Sequence, residues 1–114
     1  MNVAELIQVL RALPRDMPVV AYDDGMFSQC PHVEVCDLPV DNMSYDPQQS
    51  TAFIRGLGSA RMTCADFEAR LSELDGSLPV RIKDDVAYYE PEPEVVSAGG
   101  DYRGTPFDRD TLII

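Results

Sequence analysis

Between Asp84 and Glu94 the chain reads Asp84-Asp85-Val86-Ala87-Tyr88-Tyr89-Glu90-Pro91-Glu92-Pro93-Glu94. The interleaved prolines hold such a segment extended, which leaves Glu90, Glu92 and Glu94 on one side about 6.6 Å apart. That repeat is close to the spacing of successive phosphates along a nucleic-acid strand. Together with Asp84, Asp85, Asp101, Asp108 and Asp110 it makes a candidate surface for a groove lined by Arg and Lys. Tyr88 and Tyr102 would add flat, amphipathic contact area. The competing reading takes prolines and charges as guards on an exposed sheet edge.

Two other clusters of reactive side chains lead nowhere comparable. Cys30-Pro31-His32-Val33-Glu34-Val35-Cys36 places a metal-ligating residue at every second position. On a strand, however, the outer pair lies roughly 20 Å apart, too far to share an ion with ligand bonds near ~2 Å. We therefore expect no metal, with Cys36 and Cys64 filling core space and His32 on the surface. Catalysis lacks its parts as well: the chain has one histidine, a single lysine, Lys83, and no Gly-rich phosphate loop. Asp23-Asp24 and Asp84-Asp85 are sequence neighbours whose side chains need not converge as an acid and base must. The expectation is a non-enzymatic protein with no catalytic residue and no cofactor.

Composition narrows the class of partner. Lys and Arg number 9 against 20 Asp and Glu, a formal charge of -11, with 45% apolar residues in 114. That length and apolar content fit one globular domain, residues 1–114, rather than a disordered chain. The acidity disfavours direct binding to nucleic acid or to anionic lipid and favours a basic partner. No apolar run approaches the ~18 residues of a membrane span. Three cysteines, an odd number, do not complete a disulfide set and fit reduced thiols in a cytoplasm.

The elements that must hold these residues follow an internal repeat. Residues 1–25 set against 62–86 match at Met1/Met62, Ala4/Ala65, Leu10/Leu71, Leu13/Leu74, Pro18/Pro79, Val19/Val80, Asp23/Asp84 and Asp24/Asp85. Val3, Leu6, Leu10 and Leu13 correspond to Cys64, Phe67, Leu71 and Leu74, a spacing that lines one side of a helix. Asn2 with Glu5, and Thr63 with Asp66, have the form of capping boxes. Strands are expected at residues 19–22 and 80–83, at 31–36 and near 94–96, and at 51–54 and 111–114. The predicted architecture is α+β: two α-β-β-β units, 1–55 and 62–114, joined by 56–61. They would form one domain with pseudo-two-fold symmetry, its two helices packed on an antiparallel sheet.

The two units differ in charge, net -4 for residues 1–61 and net -7 for 62–114, which makes the second the electrostatic face. The first helix carries Ile7 and Val9 where the second has Glu68 and Arg70, and should be the more deeply buried. The opening Val3-Ala4-Glu5-Leu6-Ile7, with Leu10, Leu13-Pro14, Asp16, Pro18-Val19-Val20 and Tyr22-Asp23, resembles short phage and prophage open reading frames over about the first fifth of the chain. Small acidic proteins of that kind include anti-CRISPR and anti-restriction inhibitors that look like DNA to their targets. The resemblance implies an inhibitor of a basic nucleic-acid-handling defence protein, foremost a CRISPR effector, acting in a bacterial host cytoplasm; it transfers no functional residue. Two alternatives stand beside it: a homo-oligomeric protein that binds or sequesters a small molecule between its repeats, and a virion or assembly component. A homodimer is compatible with each.

Overall fold

A computed structural model describes residues 1–23, 26–28, 30–39, 48–83 and 88–114. Helix α1 spans Val3–Arg11 and α2 spans Cys64–Leu71, and both begin with the expected capping boxes. The Glu5 N–H donates to Asn2 Oδ1 at 2.8 Å while the Asn2 N–H donates to Glu5 Oε1 at 3.1 Å. Thr63 and Asp66 exchange the same pair of bonds at 3.2 and 3.1 Å. Four N–H groups at each helix start lack an intrahelical partner, and reciprocal bonding of this kind satisfies part of that need. Val3, Leu6 and Leu10 of α1, and Cys64, Phe67 and Leu71 of α2, are fully buried.

The remaining N–H groups at the helix starts are satisfied across the chain. Val3 and Ala4 donate to the carbonyls of Leu78 and Gly76, at 2.9 and 3.0 Å; Cys64 and Ala65 donate to those of Met17 and Arg15, at 2.9 and 3.1 Å. Thus the loop that follows each helix receives the start of the other. Gly76 allows a close approach at this join, because a Cβ there would sit 3.3 Å from the Ala4 Cβ, tighter than an ordinary contact. The same exchange continues into the strands: Val19 N–H donates to Met62 O and Val80 N–H to Met1 O, while Leu112 N–H donates to Pro18 O and Ala52 N–H to Pro79 O. Pro18 and Pro79 have no N–H to give at these strand starts, and their carbonyls do the pairing.

The strands are β1 (Val19–Asp23), β2 (Met26–Ser28), β3 (Pro31–Pro39), β4 (Gln48–Gly56), β5 (Val80–Lys83), β6 (Tyr88–Tyr89), β7 (Glu94–Val96), β8 (Asp101–Tyr102), β9 (Thr105–Pro106) and β10 (Thr111–Ile113). They form two four-stranded sheets, β2-β1-β10-β7 and β3-β4-β5-β6, and a β8-β9 ribbon. The fold is α+β, but the single antiparallel sheet expected from the sequence is corrected to two mixed sheets. Each contains one parallel pair: Val19 with Leu112 and Val20 with Ile113, from opposite ends of the chain, in the first, and Ala52 with Val80 and Ile54 with Ile82, from consecutive strands joined through α2, in the second. The α-β-β-β reading also undercounts, because β2, β6, β8 and β9 are two or three residues long, too short for alternation to register.

One core lies between the helices and both sheets. Val19, Ala21, Leu112 and Ile114 reach it from the first sheet, and Ala52, Ile54, Val80 and Ile82 from the second. Alternate residues of the first sheet, Val20 and Ile113, point the other way and join Val96 in a smaller apolar cluster. Burial on both faces is why residues 19–22 read as an unbroken apolar run, whereas Arg81 and Lys83 of β5 stay half-exposed between buried Val80 and Ile82. Cys64 is in the core as expected, but Cys36 is corrected to a half-buried position. Its ladder neighbour is Thr51, so it lies on the face opposite Val33 and Ile54.

Candidate functional site

The acidic residues singled out by the sequence fall into several environments. Asp84 and Asp85 lie outside the described residues, as does Asp24. Tyr88 is half-buried on the edge strand β6, its ring 5.4 Å from that of Phe53 and 5.8 Å from Lys83 Nζ. Glu90 is half-exposed and forms an ion pair with the amino terminus of Met1. From there the exposure alternates: Glu90, Glu92 and Glu94 are exposed, Pro91 is buried and Pro93 half-buried. The carboxylates therefore share one side of the segment linking β6 of one sheet to β7 of the other.

The rest belong to the closing stretch that covers the first sheet. Gly99 N–H donates to Phe107 O at 2.8 Å, and Phe107 N–H to Gly100 O at 3.0 Å, which folds the ribbon back on itself. Asp110 holds this stretch together, accepting from the Ala98 N–H at 2.9 Å. Tyr102 packs with the aromatic rings of Tyr22, Phe27 and Phe107 against Val20, Val96 and Ile113. Asp101 and Asp108 are exposed. Of the ten predicted contact residues, then, Glu92, Glu94, Asp101 and Asp108 present carboxylates to solvent with no hydrogen bond or ion pair to another described residue.

Three arginines form ion pairs elsewhere. Arg11 and Arg15, from α1 and the loop after it, both pair with Glu68 of α2, and their hydrogen bonds, that of Arg11 above all, hold the Glu68 carboxyl below the usual glutamate range. Arg55 pairs with Glu34 at 3.7 Å. The Asp75 carboxyl is likewise held low, by the Ser77 N–H and hydroxyl that donate to it. Burial raises the Cys64 thiol, and burial with the nearby Glu34 and Asp37 charges raises Cys36.

An aromatic site that no motif of the sequence marked lies between the β8-β9 ribbon and the first sheet. Two depressions adjoin on the far face of the first sheet, sharing Val20, Phe107 and Asp108. The larger, of about 360 Å³, has an apolar wall of Val20, Phe27, Pro106 and Phe107; the smaller, of about 160 Å³, brings in Asp16, Arg61, Thr63 and Arg109. Arg103 stands at the ribbon tip with φ 50° beside Gly104 at φ 85°, and its guanidinium lies over the rings of Tyr22 and Tyr102. The sequence signal for this cluster was the spacing of its rings, Tyr22 with Phe27 and Tyr102 with Phe107, each pair five positions apart.

His32 is exposed, and among the described residues no group of three or more His, Cys, Asp or Glu side chains converges to hold a metal ion. No helix among them is long and apolar enough to cross a membrane. No protein-family model matches this chain, and no curated protein or solved structure matches it.

Proposed function

We propose that this chain is a non-enzymatic acidic binding protein that docks on the basic groove of a nucleic-acid-handling protein and blocks it. The resemblance of its opening to phage reading frames directs the choice of target to a CRISPR effector or another DNA-handling defence protein. The observation that carries the reading is the one-sided presentation of Glu90, Glu92 and Glu94 along a proline-stiffened segment, in a chain of formal charge -11. A segment already held extended loses little conformational freedom when bound, and exposed carboxylates steer a basic partner from a distance. With Glu90 neutralised in part by the amino terminus, Glu92 and Glu94 supply the central charge and Asp101 and Asp108 the flank.

The two halves are in this reading a duplicated unit related by a pseudo-two-fold axis. The support is the reciprocity of the bonds: Val3 to Leu78 and Cys64 to Met17, Ala4 to Gly76 and Ala65 to Arg15, Leu112 to Pro18 and Ala52 to Pro79. Only the second half carries the Glu-Pro segment.

The test is a pull-down from bacterial lysate at low and at about 0.5 M salt, because screening strips a mainly electrostatic complex. A basic nucleoprotein retained at low salt and lost at high salt is expected, together with failure of the Glu92→Lys, Glu94→Lys double variant to retain it. Equal retention by parent and variant overturns the reading. A second reading, a small-molecule binding or sequestering protein, is favoured by the adjoining depressions beside Phe27 and Phe107. It predicts a bound metabolite by native mass spectrometry that is lost in Phe107→Ala.

A further inference from the structure

We propose that β3 is a self-association edge: a second copy of this chain adds its own β3 antiparallel to it, joining two four-stranded sheets into one of eight strands. β3 is the outermost strand of its sheet. It runs nine residues and pairs with β4 without a bulge, from Pro31 opposite Gly56 to Pro39 opposite Gln48. Sheet edges are ordinarily protected by bulges, lysines or shortness. The other edges of the two four-stranded sheets, β2, β6 and β7, are only two or three residues long, as are both strands of the β8-β9 ribbon, whereas β3 has no lysine and is the longest edge in the described structure.

The phase of the ladder decides what β3 offers outward. The Leu57 N–H donates to Cys30 O at 3.1 Å, so Cys30 and every second residue after it exchange bonds with β4. The alternate residues, Pro31, Val33, Val35, Asp37 and Pro39, turn their backbone groups away from the sheet. Val33, Val35 and Asp37 each present an N–H, which no described residue accepts; Pro31 and Pro39 have none to present. The outward pattern therefore reads the same in both directions about Val35: no donor, three donors, no donor.

A strip with that symmetry fits an isologous contact, in which one patch serves both partners across a two-fold axis. With the axis through Val35, Val33 pairs with the counterpart of Asp37 and Val35 with its own counterpart. All three outward donors of each strand then meet carbonyls, and the prolines face each other at both ends, where the ladder stops. Val35 is the most exposed large apolar side chain of the described residues, at 50%, and the axis buries it against itself. Charge permits the approach: Glu34 beside the axis is already paired with Arg55, and Glu92, Glu94, Asp101 and Asp108 lie on other segments than β3.

Sedimentation equilibrium across a concentration series tests this on the whole chain. The parent is expected to move from 12.6 kDa toward twice that mass. Val35→Pro removes the central outward donor without touching any bond to β4, and Val35→Lys sets two like charges against each other. Each is expected to weaken the dimer by about tenfold or more, with an unchanged circular dichroism spectrum. If Val35→Pro fails to fold, Val35→Lys decides. A parent that stays at 12.6 kDa at millimolar concentration overturns the proposal, as does a dimer that Val35→Lys leaves as tight as before. The Glu92→Lys, Glu94→Lys variant should dimerise like the parent, which separates this interface from the acidic face.

Discussion

The guanidinium of Arg103 lies 4.5 Å from the centroid of the Tyr22 ring, reached from a backbone with φ 50°. A left-handed conformation costs a non-glycine residue about 1 kcal/mol or more, and stacking on Tyr22 and on Tyr102 at 5.4 Å returns about 0.5–1 kcal/mol per ring at an exposed site. Arg103→Ala loses the stack and keeps the strain, so it should destabilise the fold by about 1–2 kcal/mol. Arg103→Gly loses the stack and the strain together and should recover about 1 kcal/mol relative to alanine. Urea denaturation of the three proteins measures both differences; equal stability of alanine and glycine variants would contradict the account.

Asp110 and the Glu92–Glu94 pair should separate structural from binding carboxylates. Asp110→Ala removes the acceptor of the Ala98 N–H and should lower stability by about 1 kcal/mol. Removing both charges with Glu92→Gln and Glu94→Gln should leave the melting temperature nearly unchanged and reduce the salt dependence of partner capture. Thermal melts read beside capture at two ionic strengths give both outcomes.

Glu68 ties α1 to α2 through Arg11 and Arg15, with a folded-state pKa below its unfolded value. A depressed carboxylate contributes stability above its unfolded pKa and loses it as the pH falls through the folded one. Glu68→Gln should therefore be less stable than the parent at neutral pH, with the gap closing through the acidic range. Urea midpoints at a series of pH values check the sign; a gap that widens in acid is the contrary result.

The thiols should react in a fixed order. Cys64 is fully buried with a raised pKa, so iodoacetamide should modify it only on unfolding. Cys36, half-buried and raised by burial and by Glu34, should react more slowly than free cysteine at pH 8, the difference narrowing as pH rises. Peptide mass mapping of a labelling time course distinguishes the sites.

The helices were legible because each combines a cap, an acid three residues on and an apolar stripe, all local features. The sheets were not, since the parallel bonds between Val19 and Leu112 and between Ala52 and Val80 join residues whose separation leaves no periodic trace. The same split runs through the site. Alternating proline and glutamate announced the exposure of Glu92 and Glu94, whereas the use of Asp110 as a loop acceptor, of Tyr102 in an aromatic cluster and of Glu90 as a counter-ion depends on long-range contacts.

The exchange of helix starts between the two halves also governs how the chain acquires its structure. β1 reaches neither its parallel neighbour nor a closed core until residues 111–114 arrive, and α1 is not anchored until the loop at 75–79 exists. A nascent chain emerging from a ribosome can pair its first strand only with β2 until residues 111–114 are made, and its first helix waits for the loop at 75–79. Contacts so distant in sequence slow the closing of the core, because the loops between them must be ordered first.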